Sequence, residues 1–406
     1  MTIDTTRRRI LQAGTAAAGL GLLPGMNVMR DARAAGAHVT LVAIHLTGGN
    51  DTVNTVIPYA NPEYYRIRKT LAIPKADSLK LDDRNALHPS LEGLKSLWDR
   101  KRLAIVHGVG YPRFDYSHFQ AMEIYWTADP ARRLITGWLG RSVDAIIGAD
   151  PVPDPLIASA VGSGMPPSLL SQRFTAPQLP SRARDFYLPS RNDRQRAALQ
   201  QVLVQPPSTT NYLYDAFLRN SRSALSAYQK VQAAGAVVPT VTYPDEYFAN
   251  SLRFAAQLIR NDASVRVITM EQGGYDHHED LIKNHPQSLG PLDAGLKAFT
   301  DDLDRSGVSN RVLILVWSEF ARRVYPNDQN GLDHGTAQAM FLIGPGVRPG
   351  IVGTPPALTD ATLIDDGNLP LQHDFRSLYA TVLSDWMGLS ARTVLGADFP
   401  LLPVLL

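Results

Sequence analysis

Apolar runs of strand length recur along this chain, and most are followed by glycine or by a polar turn. Residues 39–46, 103–109, 265–270, 312–317 and 340–343 are rich in β-branched and aliphatic side chains. Continuous apolar runs of this kind read as strands buried on both faces. Between them lie stretches with helical periodicity, at residues 90–100, 247–259, 289–306 and 375–387. The alternation predicts an α/β fold, a largely parallel central sheet with helices on both faces. Residues 152–243 break the rhythm. They are rich in proline, carry an Arg/Gln-rich tract over 182–201, and have helical patterns at 193–203 and 213–233. They read as a mainly helical insertion, either a cap over one side of the sheet or a helical extension of its core.

The first 34 residues read as a targeting segment. Thr6-Arg7-Arg8-Arg9-Ile10-Leu11 is a twin-arginine pattern, a weakly apolar Ala/Gly-rich stretch runs from Ala13 to Leu23, and Ala32-Arg33-Ala34 offers small residues for cleavage after Ala34. The apolar stretch is shorter than the roughly 20 residues a spanning helix needs. The expectation is export by the twin-arginine translocase to the periplasm or beyond, a route open to proteins already folded around a metal.

Composition narrows the chemistry. The chain has no cysteine, which excludes disulfides, thiolate zinc sites and cysteine nucleophiles. Lys and Arg total 40 against 38 Asp and Glu, a net charge of +2. No basic stripe argues for nucleic acid, and no later segment is long and apolar enough to span a membrane.

Chemistry-bearing residues cluster just after the apolar runs, where ligands bind in open α/β sheets. Asp51 follows Gly48-Gly49-Asn50 and reads as a cation ligand or as a helix cap. Ser117, before His118-Phe119-Gln120, reads as an N-cap reciprocated by Gln120 or as a nucleophile. Asp276-His277-His278, after two glycines, is the strongest local signal for a metal. Glu319 ends a buried run, which is costly for a carboxylate without a partner. Asp333-His334 offers two adjacent ligands. His373, before the last helix, is a further ligand candidate or a cap, and His45 reads as a core histidine.

Several motifs occur together in one order: Gly48-Gly49-Asn50-Asp51, Leu87-His88-Pro89, Ser117-His118-Phe119, Gly137-Trp138-Leu139, Gly274-Tyr275-Asp276-His277-His278, Ser318-Glu319-Phe320-Ala321-Arg322, Asp333-His334-Gly335 and Asp374-Phe375-Arg376. With the twin-arginine leader they resemble domain-of-unknown-function family 1501. That family in turn resembles the alkaline phosphatase and sulfatase superfamily. The resemblance implies an alkaline-phosphatase-like fold and a divalent-metal site holding two ions. By position it implies Asp51, Asp276, His278, Asp333, His334 and His373 as ligands and Ser117 as nucleophile. The implied activity is hydrolysis of a phosphate or sulfate ester, of a small molecule or a polymer. The competing expectation is a non-catalytic exported cell-envelope factor that keeps the fold and a structural metal.

Overall fold

The computed structural model describes residues 38–162, 164–187, 192–204 and 211–406. The targeting segment expected over residues 1–34 lies outside them. The apolar runs become the strands of one nine-stranded sheet. These are β1 (Thr40–Leu46), β2 (Leu103–Gly110), β3 (Ala158–Val161), β4 (Gln178–Leu179), β5 (Val267–Gln272), β6 (Val312–Ser318), β9 (Gln338–Ile343), β10 (Gly350–Val352) and β11 (His373–Asp374). A separate ribbon pairs β7 (Arg322–Pro326) with β8 (Leu332–His334). The order across the main sheet is β10-β2-β9-β6-β1-β5-β3-β4, with β11 also on β2. Only β9 runs antiparallel to its neighbours, β2 and β6. Three short strands, Val56–Ile57, Leu79–Lys80 and Ala86–Leu87, make a small sheet beside it.

β1 is buried at every position and lies in register between β5 and β6, with Leu46 opposite both Gln272 and Ser318. Being covered on both faces explains why these runs lack polar alternation. Leu46, Ile44, Ile268, Met270, Ile314 and Phe341 join Leu252, Leu289, Leu296 and Phe299 in the main core. Truncating one such side chain to alanine costs about 2–5 kcal/mol. The helices are α1 (Thr52–Thr55), α2 (Pro62–Arg68), α3 (Glu92–Asp99), α4 (His118–Thr127), α5 (Trp138–Ile147), α6 (Asp193–Leu203), α7 (Tyr212–Gly235), α8 (Tyr247–Asn261), α9 (Leu281–Arg305), α10 (Phe375–Thr381) and α11 (Ala391–Leu395). None of the described helices is long and apolar enough to cross a membrane.

Three expectations are modified. The segment 152–243 is not only helical: β3 and β4 extend the sheet beyond β5. These strands have four and two residues, too short to register as hydrophobic runs among prolines. Helix α9 begins at Leu281 and carries Pro286 and Pro291 inside it. The helix expected over 375–387 is α10 only up to Thr381, followed by a π turn over Val382–Trp386.

Candidate metal centre

The parallel strands set the site. β1, β2, β5 and β6 run the same way, so the segments after their carboxyl ends gather at one edge of the sheet. β9 runs oppositely, so the residues entering it reach the same edge. Those segments are Gly48–Asp51, Tyr111–His118, Gly273–His278, Glu319–Arg322 and Asp333–His334.

Three side chains from three of them converge. One donor atom each from His118, Asp276 and His334 lie within 4.8 Å of one another, the one such grouping among the described residues. Asp276 Oδ1 is 3.5 Å from His118 Nε2, 3.5 Å from His334 Nε2 and 3.1 Å from His278 Nε2. Each ring is oriented from behind. His118 Nδ1 donates to Glu319 Oε1 at 2.7 Å, and His334 Nδ1 donates to the carbonyl of Tyr116 at 2.6 Å. Both rings therefore carry their free lone pair on Nε2, the arrangement usual for metal-bound histidine.

The donor chemistry fits a divalent cation. His118 Nε2 is buried without a hydrogen-bond partner. The Nε2 atoms of His278 and His334 are 2.9 Å apart. Arg322 donates to the first at 3.2 Å, while the second is already an acceptor by its tautomer. Two lone pairs in such contact repel unless a positive centre draws them together. One carboxylate and two or three imidazoles suit zinc or manganese.

Glu319 is the support. It is almost fully buried, accepts from the backbone N–H of Gly48 at 2.8 Å, and its second oxygen lies 3.1 Å from His45 Nε2. Burial pushes its carboxyl up, but the bonds from His118 and His45 outweigh this and hold it far below the usual range. His45 stacks flat on Trp317 at 3.9 Å between centroids. Burial lowers its pKa, but Glu271 and Glu319 raise it above the ordinary value overall.

Arg322, also buried, threads the loop carbonyls. It donates to Gly49 O and Leu332 O at 2.9 Å each, to Gly48 O, and to Asp276 Oδ1. Burial raises the Asp276 carboxyl, but Arg322 first, then His118 and His278, hold it below its ordinary pKa. His334 is pushed down by burial, which keeps it neutral and able to ligate. The loop must pass very close here. At Gly48, where φ is +119°, an added Cβ would stand 2.5 Å from the Asp276 backbone nitrogen.

The remaining sequence candidates lie around this cluster in different states. Ser117 is the N-cap of α4 but makes no capping bond through its hydroxyl. Gln120, its expected partner in a capping box, accepts from Arg132 instead. Ser117 stands between Tyr116, whose carbonyl holds His334, and His118. Asp333 is exposed, 3.8 Å from His278 Nδ1. Asp51 is not brought into the cluster. It is fully buried, and both oxygens are held by Arg68 at 2.7 Å while one caps α1 through Val53 N–H. His373 sits on β11 opposite Val109, with its Nε2 buried and unpartnered and its pKa lowered by burial. His277 turns away toward Ser288 and His285. Arg68 and the role of Arg322 escaped sequence reasoning. The signal available was an arginine four residues beyond the end of a buried run, in the same motif as Glu319.

No curated protein matches the chain. Among solved structures, a protein in the alkaline phosphatase superfamily from Vibrio parahaemolyticus is similar at 9% identity and a TM-score of 0.40, over 90% of this chain and 71% of that one. A phosphonate monoester hydrolase from Silicibacter pomeroyi is similar at 11% identity and a TM-score of 0.34, over 90% and 77%. A TAB5 alkaline phosphatase variant with magnesium bound is similar at 8% identity and a TM-score of 0.35, over 76% and 91%. The chain belongs to the family described as Protein of unknown function (DUF1501), whose model matches residues 39–397.

Proposed function

We propose that this family member is a metal-dependent hydrolase of phosphate or sulfate esters. The observation that carries the reading is the convergence of His118 Nε2, Asp276 Oδ1 and His334 Nε2 beside the N-terminus of α4. His118, Asp276 and His334 would hold the cation, with His278 beside them. A divalent cation in that place supplies Lewis acidity toward an ester oxygen and lowers the pKa of a neighbouring hydroxyl.

The chain's own residues do the rest. Ser117 presents a hydroxyl free of capping duty at a helix N-terminus, where unpaired N–H groups favour an anion. Its oxygen attacks phosphorus or sulfur and gives up its proton to solvent water, the bond to the leaving oxygen breaks, and that oxygen takes a proton from water to depart as the alcohol. Water then cleaves the seryl ester and restores the hydroxyl. Glu319 and the Tyr116 carbonyl keep His118 and His334 in the ligating tautomer. Arg322 holds Asp276 ionised.

The substrate is a small-molecule or polymer ester outside the cytoplasm, reached through the twin-arginine signal in residues 1–34. Fractionation of cells with and without a working twin-arginine translocase tests the location. Purified protein reconstituted with zinc or manganese, assayed on aryl phosphates and aryl sulfates, tests the activity. Metal-dependent release of the aryl alcohol supports the reading. Bound metal without turnover of either ester class returns the chain to the non-catalytic alternative.

A further inference from the structure

Resting on the metal reading above, the geometry points to a centre that takes a single cation, in which the Arg322 guanidinium supplies the second positive charge and Arg68 seals Asp51 against any ion. The resemblance to two-metal hydrolases implies a second ion near Asp51. The residues present do not fit it.

Asp51 and Arg68 are both completely buried, and the guanidinium faces the carboxylate fork to fork, NH1 on Oδ2 and NH2 on Oδ1, at 2.7 Å each. Asp51 Oδ1 also accepts from Val53 N–H at 3.2 Å. Both oxygens of Asp51 are therefore committed. An ion there would displace a buried guanidinium into surroundings with no other carboxylate bonded to it, which is strongly unfavourable. The imidazoles nearby each spend one nitrogen on a neighbour, and His285 Nδ1 is left buried without a partner. His285 Nε2 is 3.0 Å from Asn50 Oδ1, His88 Nδ1 accepts from Ser90 N–H at 3.1 Å, and His277 Nε2 faces Ser288 at 3.4 Å. Their donor atoms form no further grouping of metal-binding spacing among the described residues.

Arg322 already places a positive charge on Asp276 Oδ1. Its guanidinium is tied to the carbonyls of Gly48, Gly49 and Leu332, and it donates to both Asp276 Oδ1 and His278 Nε2. An arginine so tied cannot swing out to admit an ion without orphaning several buried donors and acceptors at once. It gives the site a fixed positive charge beside Asp276, with its five N–H donors already spent on acceptors within the protein.

The test is a metal count. Purified protein is stripped with chelator, equilibrated with zinc or manganese, desalted, and measured by plasma mass spectrometry alongside circular dichroism. One ion per chain is expected, lost in Asp276→Asn. The count stays at one in the double variant Asp51→Asn with Arg68→Met, which removes both buried charges together. Two ions per chain would overturn the inference and leave the metal reading standing. No ion in the wild type would overturn the metal reading and the inference with it. If the double variant does not fold, the wild-type count still decides between one ion and two.

Discussion

Glu319 Oε1 and His118 Nδ1 lie 2.7 Å apart although the residues are 201 positions apart in the chain. The contact joins the end of β6 to the start of α4 and fixes which nitrogen of His118 faces Asp276. Replacing Glu319 by Gln keeps the size of the side chain but lets its amide donate to Nδ1, which reverses the tautomer. Metal affinity should fall roughly 10–100-fold. Competition with a chromogenic chelator checks this, with circular dichroism to verify the fold. Unchanged affinity in a folded variant would remove Glu319 from the site's design.

Ser117 has no structural hydrogen bond to lose through its hydroxyl. Ser117→Ala should abolish ester turnover while metal content and melting temperature stay near those of the wild type. Full activity in the alanine variant would exclude serine as the nucleophile.

Arg68 and Asp51 form a sealed pair, so removing one partner strands a buried charge. Arg68→Met alone should destabilise the fold by about 3–5 kcal/mol, and adding Asp51→Asn should restore much of that loss. Urea denaturation of both variants measures the difference. Equal stabilities for the single and the double variant would contradict the assignment.

Acid should weaken the fold partly through His107. This side chain is buried on β2, and burial pushes its pKa down to about 4 from 6.5. Between those values the unfolded chain binds a proton that the folded chain refuses. Stability attributable to this group is therefore intact above about pH 6.5 and falls as the pH drops toward 4, by up to about 3 kcal/mol. His107→Leu should lose less of its melting temperature than the wild type between pH 7 and pH 4.5. Parallel melting curves across that range would exclude the effect.

His45 shows how local reading and tertiary context combine. As a histidine inside an apolar run it reads as a core residue, and it is one, stacked on Trp317. Its role as a second partner for Glu319 depends on β1 and β6 being neighbours, which no local pattern encodes. The five long strands were legible because full burial on both faces imposes apolar runs. The short β3 and β4 were not, since a few residues flanked by prolines carry no period. The loop chemistry was legible as a set, because glycine turns and polar residues after buried strands stand out. Its internal partition was not.

By itself, the sequence determined that there is an α/β sheet, that its loops carry aspartates and histidines, and that thiol chemistry is excluded. Asp51 and Asp276 are both ligand candidates in that reading, each an aspartate after a glycine turn. Only the tertiary structure separated them. Asp51 is enclosed with Arg68 from α2, whereas Asp276 remains partly open and meets His118 and His334. The reason is physical. A carboxylate's availability depends on which charge lies within about 4 Å, and that is set by the packing of distant segments.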